Sequence, residues 1–227
     1  MSHRRRYWRT RNPRSQPRDN YTGAVCVTRC GFRMVPFESL LEMHYLMQRD
    51  AFDFDLREVI SQSERIQYWY DGKFRTWTPD FRIRAGSGER SELVEVKSWS
   101  ALYPEDQALR AWIHGKFAAI GEAASREGFK FVLSTDREIR VQPRLGNAEL
   151  MLGAVSSVAP TDIFKAESAL LRLPATSSVP ALQEAMGSEH DAFAIALYLA
   201  WKGVIRLNPT LKWTRQALFY RTSRPLS

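Results

Sequence analysis

The stretch TPDFRIRAGSGERSELVEVKSW, residues 78–99, decides the fold that we expect for the first half of the chain. Its last part, ELVEVK, is a short strand, and the side chains of a strand alternate between two faces. Glu95 and Lys97 therefore lie on one face, and Val94 and Val96 lie on the other. The simplest interpretation is a half-exposed strand whose polar side lies in water.

A hairpin between the two strands of this stretch fixes their register. With Ser87-Gly88 at the tip, Asp80 lies directly opposite Glu95. Phe81 then lies on the apolar face, and the opposite face is polar with Leu93 as its nearest exception. A slip of one residue would mix the two faces, which supports this register. The polar face carries Asp80, Arg82, Glu95 and Lys97.

Two opposed carboxylates need a compensating interaction. Directly opposed residues have Cβ atoms about 4.5–5.5 Å apart, and like charges at that distance are destabilising. A shared proton would offset the repulsion between Asp80 and Glu95, and so would a hard divalent cation bound by both. Lys97 beside them would reduce the repulsion without a metal, and would hold a water molecule or a phosphate when a metal is bound.

The segments on both sides of this hairpin complete an α/β domain. A helix is predicted from Phe37, with apolar side chains on one face and Glu42 at the border of that face. The strands RIQYWY and KFRTW are joined by Asp71-Gly72, a two-residue turn signal. Residues 105–127 are predicted to form an amphipathic helix, and FKFVLSTD is a further strand.

Positive charge is concentrated at the two ends of the chain. Residues 1–20 carry a net charge of +6 and residues 192–227 another +6, so that a formal total of +8 leaves −4 for residues 21–191. Basic ends are typical of proteins that bind nucleic acid, and the alternative is a solvated tail that aids solubility. The candidate DNA contacts are Arg4, Arg5, Arg6, Arg9, Arg11, Lys212 and Arg215.

Changes in composition predict three parts. Residues 1–20 are expected to be a basic flexible tail, residues 21–147 the α/β domain, and residues 148–227 a smaller, mainly helical domain. In the last part, DAFAIALYLAW is predicted to be a buried helix that ends at Gly203, and VIRL a strand. A helix, a strand and a basic turn in that order are compatible with a winged helix.

Composition also limits the class of protein. The longest apolar run, Ala192–Trp201, has ten residues, too few to cross a bilayer. No apolar stretch follows the arginine-rich start as in a secretory signal, although a mitochondrial address is harder to exclude. Cys26 and Cys30 are interpreted as reduced thiols of a cytoplasmic protein, because a zinc site needs two more ligands and the four histidines are scattered.

The pattern of Pro79-Asp80, a spacer and Glu95-Val96-Lys97, with a glutamate on an upstream helix, resembles the PD-(D/E)xK nuclease superfamily. The resemblance implies a restriction-endonuclease-like core, a mixed β-sheet flanked by helices. Five motifs occur in the order found in TnsA, the endonuclease subunit of heteromeric cut-and-paste transposases. They extend over residues 37–139 and are FESLLE, SQSERIQYW, TPDF, LVEVK and FVLSTDREI.

The resemblance to TnsA implies a role for each matched residue. Glu42 corresponds to the catalytic glutamate of the first helix, and Glu38 is a candidate for the outer shell. Asp80 corresponds to the metal-binding aspartate, and Glu95 and Lys97 to the (Glu/Gln)-x-Lys element. The implied cofactor is Mg²⁺, for which Mn²⁺ would substitute. Its implied ligands are Asp80, Glu95, Glu42 and the carbonyl of Val96.

The implied function is metal-dependent cleavage of DNA at the 5′ ends of a transposon. The implied partners are the double-stranded DNA of the transposon ends, a DDE-type transposase subunit (TnsB-like) and an AAA+ regulator (TnsC-like), in the bacterial cytoplasm at the nucleoid. The C-terminal part matches no motif of the family. Two alternatives remain open: a free-standing restriction or repair nuclease, and a DNA-binding subunit that uses the nuclease core only as a scaffold.

Overall fold

The computed structural model describes residues 21–86 and 90–223. These residues form two compact units. Unit 1 consists of residues 21–46 and 55–139, and unit 2 of residues 47–54 and 140–223. The sequence placed the boundary between residues 147 and 148, whereas the units separate after residue 139.

A mixed four-stranded sheet organises unit 1. The elements from residue 21 to residue 139 are, in chain order, β1 (Gly23–Val27), β2 (Arg33–Phe37), α1 (Leu40–Phe52), β3 (Leu56–Ser61), β4 (Ile66–Tyr70), β5 (Lys73–Trp77), β6 (Phe81–Ala85), β7 (Glu92–Lys97), α2 (Trp99–Leu102), α3 (Gln107–Arg126), β8 (Lys130–Thr135) and α4 (Asp136–Ile139). The strand order of the main sheet is β3-β6-β7-β8, with only the β7–β8 pair parallel. A mixed sheet with flanking helices confirms the predicted α/β class.

Both predicted hairpins are present. Asp71 and Gly72, between β4 and β5, have φ angles of 55° and 72°, the positive values that a tight two-residue turn of this kind requires. In the β6–β7 hairpin, Phe81 pairs with Val94, which is the predicted register. The tip of this second hairpin, residues 87–89, lies outside the described residues.

The two faces of the β6–β7 hairpin contact different parts of the hydrophobic core. Phe81 and Val94 lie in one buried cluster, together with Leu46 of α1. Leu93 lies in another cluster, with side chains from β4, β5 and α3. The simplest interpretation of β7, a half-exposed strand with its polar side in water, is therefore wrong for Glu95, which α3 and the β4–β5 hairpin bury.

Close packing of α3 against β4 depends on a glycine. A Cβ atom at Gly115 would collide with the hydroxyl group of Tyr70. That hydroxyl donates a hydrogen bond of 2.8 Å to the carbonyl of Trp112 in the same helix. The absence of a side chain at Gly115 thus lets the helix cover the sheet closely.

The first helix begins later than the sequence predicted. Phe37 belongs to β2, where it pairs with Gly23, and α1 begins only at Leu40. Ser39 marks the start, because its hydroxyl accepts a hydrogen bond of 3.2 Å from the backbone N–H of Glu42. The apolar residues that follow a helical spacing from Phe37 onward therefore belong to two elements, the end of β2 and the helix α1.

Unit 2 is mainly helical and includes one small sheet. Its elements after residue 139 are α5 (Arg144–Val155), α6 (Pro160–Arg172), β9 (Thr176–Ser178), α7 (Val179–Met186), α8 (Ala192–Lys202), β10 (Ile205–Leu207) and β11 (Leu218–Arg221). The antiparallel sheet has the order β10-β11-β9. As predicted, α8 is largely buried and ends at Gly203, which has a φ of 77°. Within the described ranges, no helix has both the length and the apolar character needed to cross a bilayer.

Candidate active site

Asp80 lies just before β6 and is held on both its backbone and its side chain. Its Oδ2 atom accepts a hydrogen bond of 2.7 Å from the backbone N–H of Val96. Its carbonyl oxygen accepts a bond of 3.1 Å from the N–H of Gln62. The side chain is 15% exposed. Burial, together with the negative charge of Glu95, raises the pKa of Asp80 well above its usual value, against the effect of Lys97.

Glu95 and Lys97 form an ion pair on the face of β7 to which Asp80 also points. The Nζ atom of Lys97 lies 2.8 Å from Oε1 of Glu95 and 4.0 Å from Oδ2 of Asp80. The second carboxylate oxygen of Glu95 accepts a hydrogen bond of 2.6 Å from the indole N–H of Trp77. Burial lowers the pKa of Lys97, but the charges of Asp80 and Glu95 have the larger effect and raise this pKa to about 12.

Glu42 has its carboxylate held at the start of α1. One oxygen accepts a bond of 2.9 Å from the Ser39 hydroxyl, and the other accepts one of 2.8 Å from the backbone N–H of Glu38. With the return bond from Glu42 N–H to Ser39, this arrangement is a variant of the capping box, in which Ser and Glu three residues apart bond reciprocally. Burial raises the pKa of Glu42. The Ser-x-x-Glu motif therefore has a structural role that the sequence analysis missed.

These side chains line one cavity of about 540 Å³ in unit 1. The cavity contains all the acidic and basic residues predicted for catalysis, together with Val96 and Glu38. Four carboxylates, including that of Glu38, and a single ammonium group line it, so a fully ionised site carries a net negative charge. The charges of Glu95 and Glu42 both contribute to the raised pKa of Asp80. The residues that were predicted for the site and that line this cavity are Glu38, Glu42, Asp80, Glu95, Val96 and Lys97.

Three residues of this site were not predicted from the sequence. Gln62 is buried, lines the cavity and has a φ of 50°, which is uncommon for a residue other than glycine. Trp77 orients Glu95 by its indole N–H, and Ser98 lines the cavity directly after Lys97. The position of Trp77 three residues before Asp80 was a usable signal, whereas nothing in the local sequence distinguishes Gln62.

The residues fit a hard divalent cation in the type of ligand that they offer. Asp80 and Glu95 supply carboxylate oxygens, and Mg²⁺ is commonly bound by one or two carboxylates together with water and substrate phosphate. In the described part of the chain, no group of three or more His, Cys, Asp or Glu side chains is arranged to hold a metal ion. The carboxylate of Glu42, held by Ser39 and Glu38 at the start of α1, lines the same cavity as Asp80 and Glu95.

The predicted DNA contacts fall in two places. Arg4, Arg5, Arg6, Arg9 and Arg11 lie outside the described residues. Lys212 and Arg215 are exposed and lie between β10 and β11 of unit 2. Arg215 forms two hydrogen bonds of 3.0 Å with Asp191, the residue that caps α8, so its guanidinium group has an acidic partner within the same unit.

No protein-family model matches the chain, and no curated protein is significantly similar to it.

Proposed function

We propose that the chain is a metal-dependent DNA endonuclease of the PD-(D/E)xK type, with a restriction-endonuclease-like core in unit 1. One observation carries the proposal: Asp80, directly before β6, and Glu95, in the adjacent strand β7, share the ammonium group of Lys97 in one cavity. Two buried carboxylates with a single cation are unfavourable for the stability of a fold, because burial of charge costs several kcal/mol per ion. A catalytic use explains why they lie there.

In the proposed reaction, a water molecule attacks the scissile phosphorus and the bond from phosphorus to O3′ breaks. The products are a 5′-phosphate and a 3′-hydroxyl group, whose oxygen receives a proton. A hard cation bound by Asp80 and Glu95 would stabilise negative charge on the phosphoryl oxygens. Lys97 donates hydrogen bonds to the phosphate or the water and neutralises developing charge. Its pKa of about 12 keeps it protonated at neutral pH, which favours this role over that of a base.

A TnsA-like role is the proposed biological setting. The enzyme would cut the 5′ ends of a transposon in the bacterial cytoplasm, with a TnsB-like DDE transposase and a TnsC-like AAA+ regulator as partners. The support is the set of motifs in residues 37–139, since TPDF and LVEVK supply the residues that meet in the cavity. Gln62 within SQSERIQYW also lies in the cavity and bonds to Asp80.

Unit 2 is proposed to be a winged-helix-like domain that contacts partners. Its element order from α6 to β11 is helix, strand, helix, helix, strand, strand, with a three-stranded antiparallel sheet, as expected for a winged helix. The third of these helices, α8, is apolar, and its only charged residue is Lys202. A helix that reads DNA presents polar and basic side chains to the bases and phosphates. Because α8 is largely buried in the core of unit 2, it is not proposed as a helix that reads DNA.

The purified full chain tests the nuclease proposal directly. With Mg²⁺ or Mn²⁺ and a DDE-type transposase on transposon-end DNA, we expect strand cleavage that leaves 5′-phosphates, as shown by end labelling. Cleavage of plasmid by the chain alone would instead favour the free-standing nuclease. Binding without cleavage under every combination of metal and partner would favour the scaffold subunit, and the enzyme assignment would be wrong.

Substitutions at Glu42 separate its capping role from a catalytic role. Glu42→Gln keeps an oxygen that accepts from the Glu38 N–H, and its NH2 group can donate to the Ser39 hydroxyl, so the start of α1 stays capped. Glu42→Ala loses them and should cost about 1 kcal/mol of stability. We expect both variants to lose most cleavage, although only Glu42→Ala unfolds at a lower temperature. Thermal unfolding and a nicking assay on the same preparations measure the two effects.

The control for this pair is Glu38→Ala. Its backbone N–H, which bonds to Glu42, is retained in the variant, so the cap stays intact. We expect a much smaller loss of cleavage than at Glu42. A Glu42→Gln variant that cleaves like the parent would reduce Glu42 to a helix cap.

A further inference from the structure

The segment that follows β7 carries a stack of aromatic and cationic side chains. The rings of Trp99 and Tyr103 are nearly parallel, with centroids 3.8 Å apart. The guanidinium carbon of Arg137 lies 3.8 Å from the centroid of the Trp99 ring. The ring of His114 contacts Tyr103 edge to face at 4.8 Å. Arg137 and Tyr103 are exposed, so the stack reaches the protein surface.

This stack lies next to the candidate active site. Lys97, the last residue of β7, pairs with Thr135, the last residue of β8, so both strands end at the same edge. Ser98 and Ala101 line the site cavity on either side of Trp99 in the sequence. The backbone N–H of Trp99 donates a hydrogen bond of 2.5 Å to Asp136, which ties the two strand ends together.

The α2 segment is also fixed from the side of α3. The ring nitrogen Nε2 of His114 lies 3.0 Å from the carbonyl oxygen of Leu102. The guanidinium group of Arg110 donates two hydrogen bonds to the carbonyl of Pro104, at 2.8 and 3.1 Å. The aromatic stack is therefore held by hydrogen bonds at both ends, which limits its movement relative to the cavity.

Arg137 has its hydrogen-bond donors available. In the described part of the chain its side chain forms no ion pair or hydrogen bond, and it contacts the indole ring of Trp99. Its two acidic neighbours are engaged elsewhere: Asp136 accepts the N–H of Trp99, and Glu138 accepts the N–H of Thr135 at 3.1 Å. A guanidinium group that lies flat on an aromatic ring still presents its N–H edge, which matches the geometry of phosphate.

We propose that Arg137, positioned by Trp99, binds a backbone phosphate of the DNA strand next to the bond that is cleaved. This inference rests on the proposed nuclease function and adds the surface by which the substrate is held. The cavity itself carries an excess of carboxylates, which repel a polyanion. A fixed cation beside the cavity offsets that repulsion and sets the path of the strand.

Fluorescence anisotropy with a labelled DNA duplex tests the role of Arg137. The full-length chain is titrated in EDTA, which prevents metal-dependent cleavage, over a range of salt concentrations. Arg137→Ala should weaken binding about tenfold at low salt. It should also reduce the slope of log affinity against log salt by about 0.9, the value for one lost phosphate contact. Arg137→Lys should keep the slope and recover part of the affinity, because the charge remains without the planar donor edge.

Arg126→Ala is the matched control. Arg126 is exposed and lies in the last turn of α3, far along that helix from His114, so the same change of charge is made away from the site. If Arg137→Ala and Arg126→Ala have the same affinity for the DNA duplex and the same slope of log affinity against log salt, the proposal is wrong.

The same variants distinguish this proposal from the proposed function. A parent chain that cleaves DNA, with an Arg137→Ala variant that binds like Arg126→Ala, refutes the phosphate contact alone. A parent chain that never cleaves, yet loses DNA affinity only on Arg137→Ala, supports the contact and refutes the nuclease.

Discussion

Asp80→Asn is expected to abolish DNA cleavage and, at neutral pH, to make the folded chain more stable. Cleavage should fall about a thousandfold or more, because the substitution removes the central anionic ligand of the proposed cation, and such a cation contributes several kcal/mol to the transition state. A nicking assay under single-turnover conditions measures the loss. The two effects have opposite directions because the same buried charge serves catalysis and destabilises the fold.

The stability effect follows from the pKa of Asp80. Burial and the charge of Glu95 raise this pKa in the folded chain, so the folded state binds the proton more tightly than the unfolded state does. The favourable contribution of protonated Asp80 is complete below its unfolded pKa and is lost as the pH rises through the folded pKa. Each unit of pKa difference corresponds to about 1.4 kcal/mol. Asparagine does not titrate, so the stability gain over the parent should be largest near pH 7 and should shrink towards acidic pH.

Denaturant unfolding at several pH values measures this gain. Asp106→Asn is the control, since Asp106 caps α3 and asparagine is an equally good capping residue. We expect this variant to cleave DNA like the parent and to show no comparable gain at neutral pH. An Asp80→Asn chain that cleaves normally would remove Asp80 from the catalytic machinery, and with it the proposed nuclease.

Much of unit 1 could be predicted because short-range rules determine it. The alternation of side chains in residues 78–99 gives the pairing of Phe81 with Val94, and Asp71-Gly72 gives the neighbouring turn. The start of α1 was misplaced, although Ser39 and Glu42 at capping-box spacing were readable in the sequence. That same spacing was assigned to catalysis alone, and the structural role was overlooked.

The burial of the charged face could not be read from the residues of the hairpin. It depends on α3, which joins the parallel strands β7 and β8 and packs on the face that carries Leu93 and Glu95. Crossovers of this kind are almost always right-handed, so a parallel pairing of these strands would have indicated which face is covered. The contacts of Gln62 and of the Trp99 stack join residues distant in the sequence, and only the folded chain brings them together.

Lys97→Met is expected to abolish cleavage and also to destabilise the fold, in contrast to Asp80→Asn. The ammonium group is the cation nearest to both Asp80 and Glu95, at 4.0 and 2.8 Å. Loss of one partner from a buried ion pair costs about 3–5 kcal/mol, and since the Lys97 side chain is 39% exposed, solvent screening reduces the expected cost to about 1–3 kcal/mol. Denaturant unfolding and the nicking assay measure the two losses.

The control is Lys130→Met, on the strand adjacent to β7. Lys130 forms an ion pair of similar length, 2.9 Å, with Glu92, but its side chain is 63% exposed. Exposed pairs contribute at most about 1 kcal/mol, so this variant should remain close to the parent in stability and in cleavage. Equal stability losses in the two variants would show that Lys97 does not compensate buried carboxylates.

The pH profile decides what Lys97 does in the reaction. Its raised pKa means that its stabilising charge is fully present below the unfolded value of 10.5 and is lost only as the pH rises through about 12. A lysine that served as the base would lose its proton before each turnover, and cleavage would then increase steadily with pH up to that value. We expect instead no rise in cleavage between pH 8 and pH 10 that depends on Lys97. Asp80→Asn should stabilise the Lys97→Met variant by more than it stabilises the parent, because without the ammonium group the buried charge of Asp80 is uncompensated. If the two stability changes simply add, the ammonium group and Asp80 do not interact, and the shared cation on which the proposed active site rests is absent.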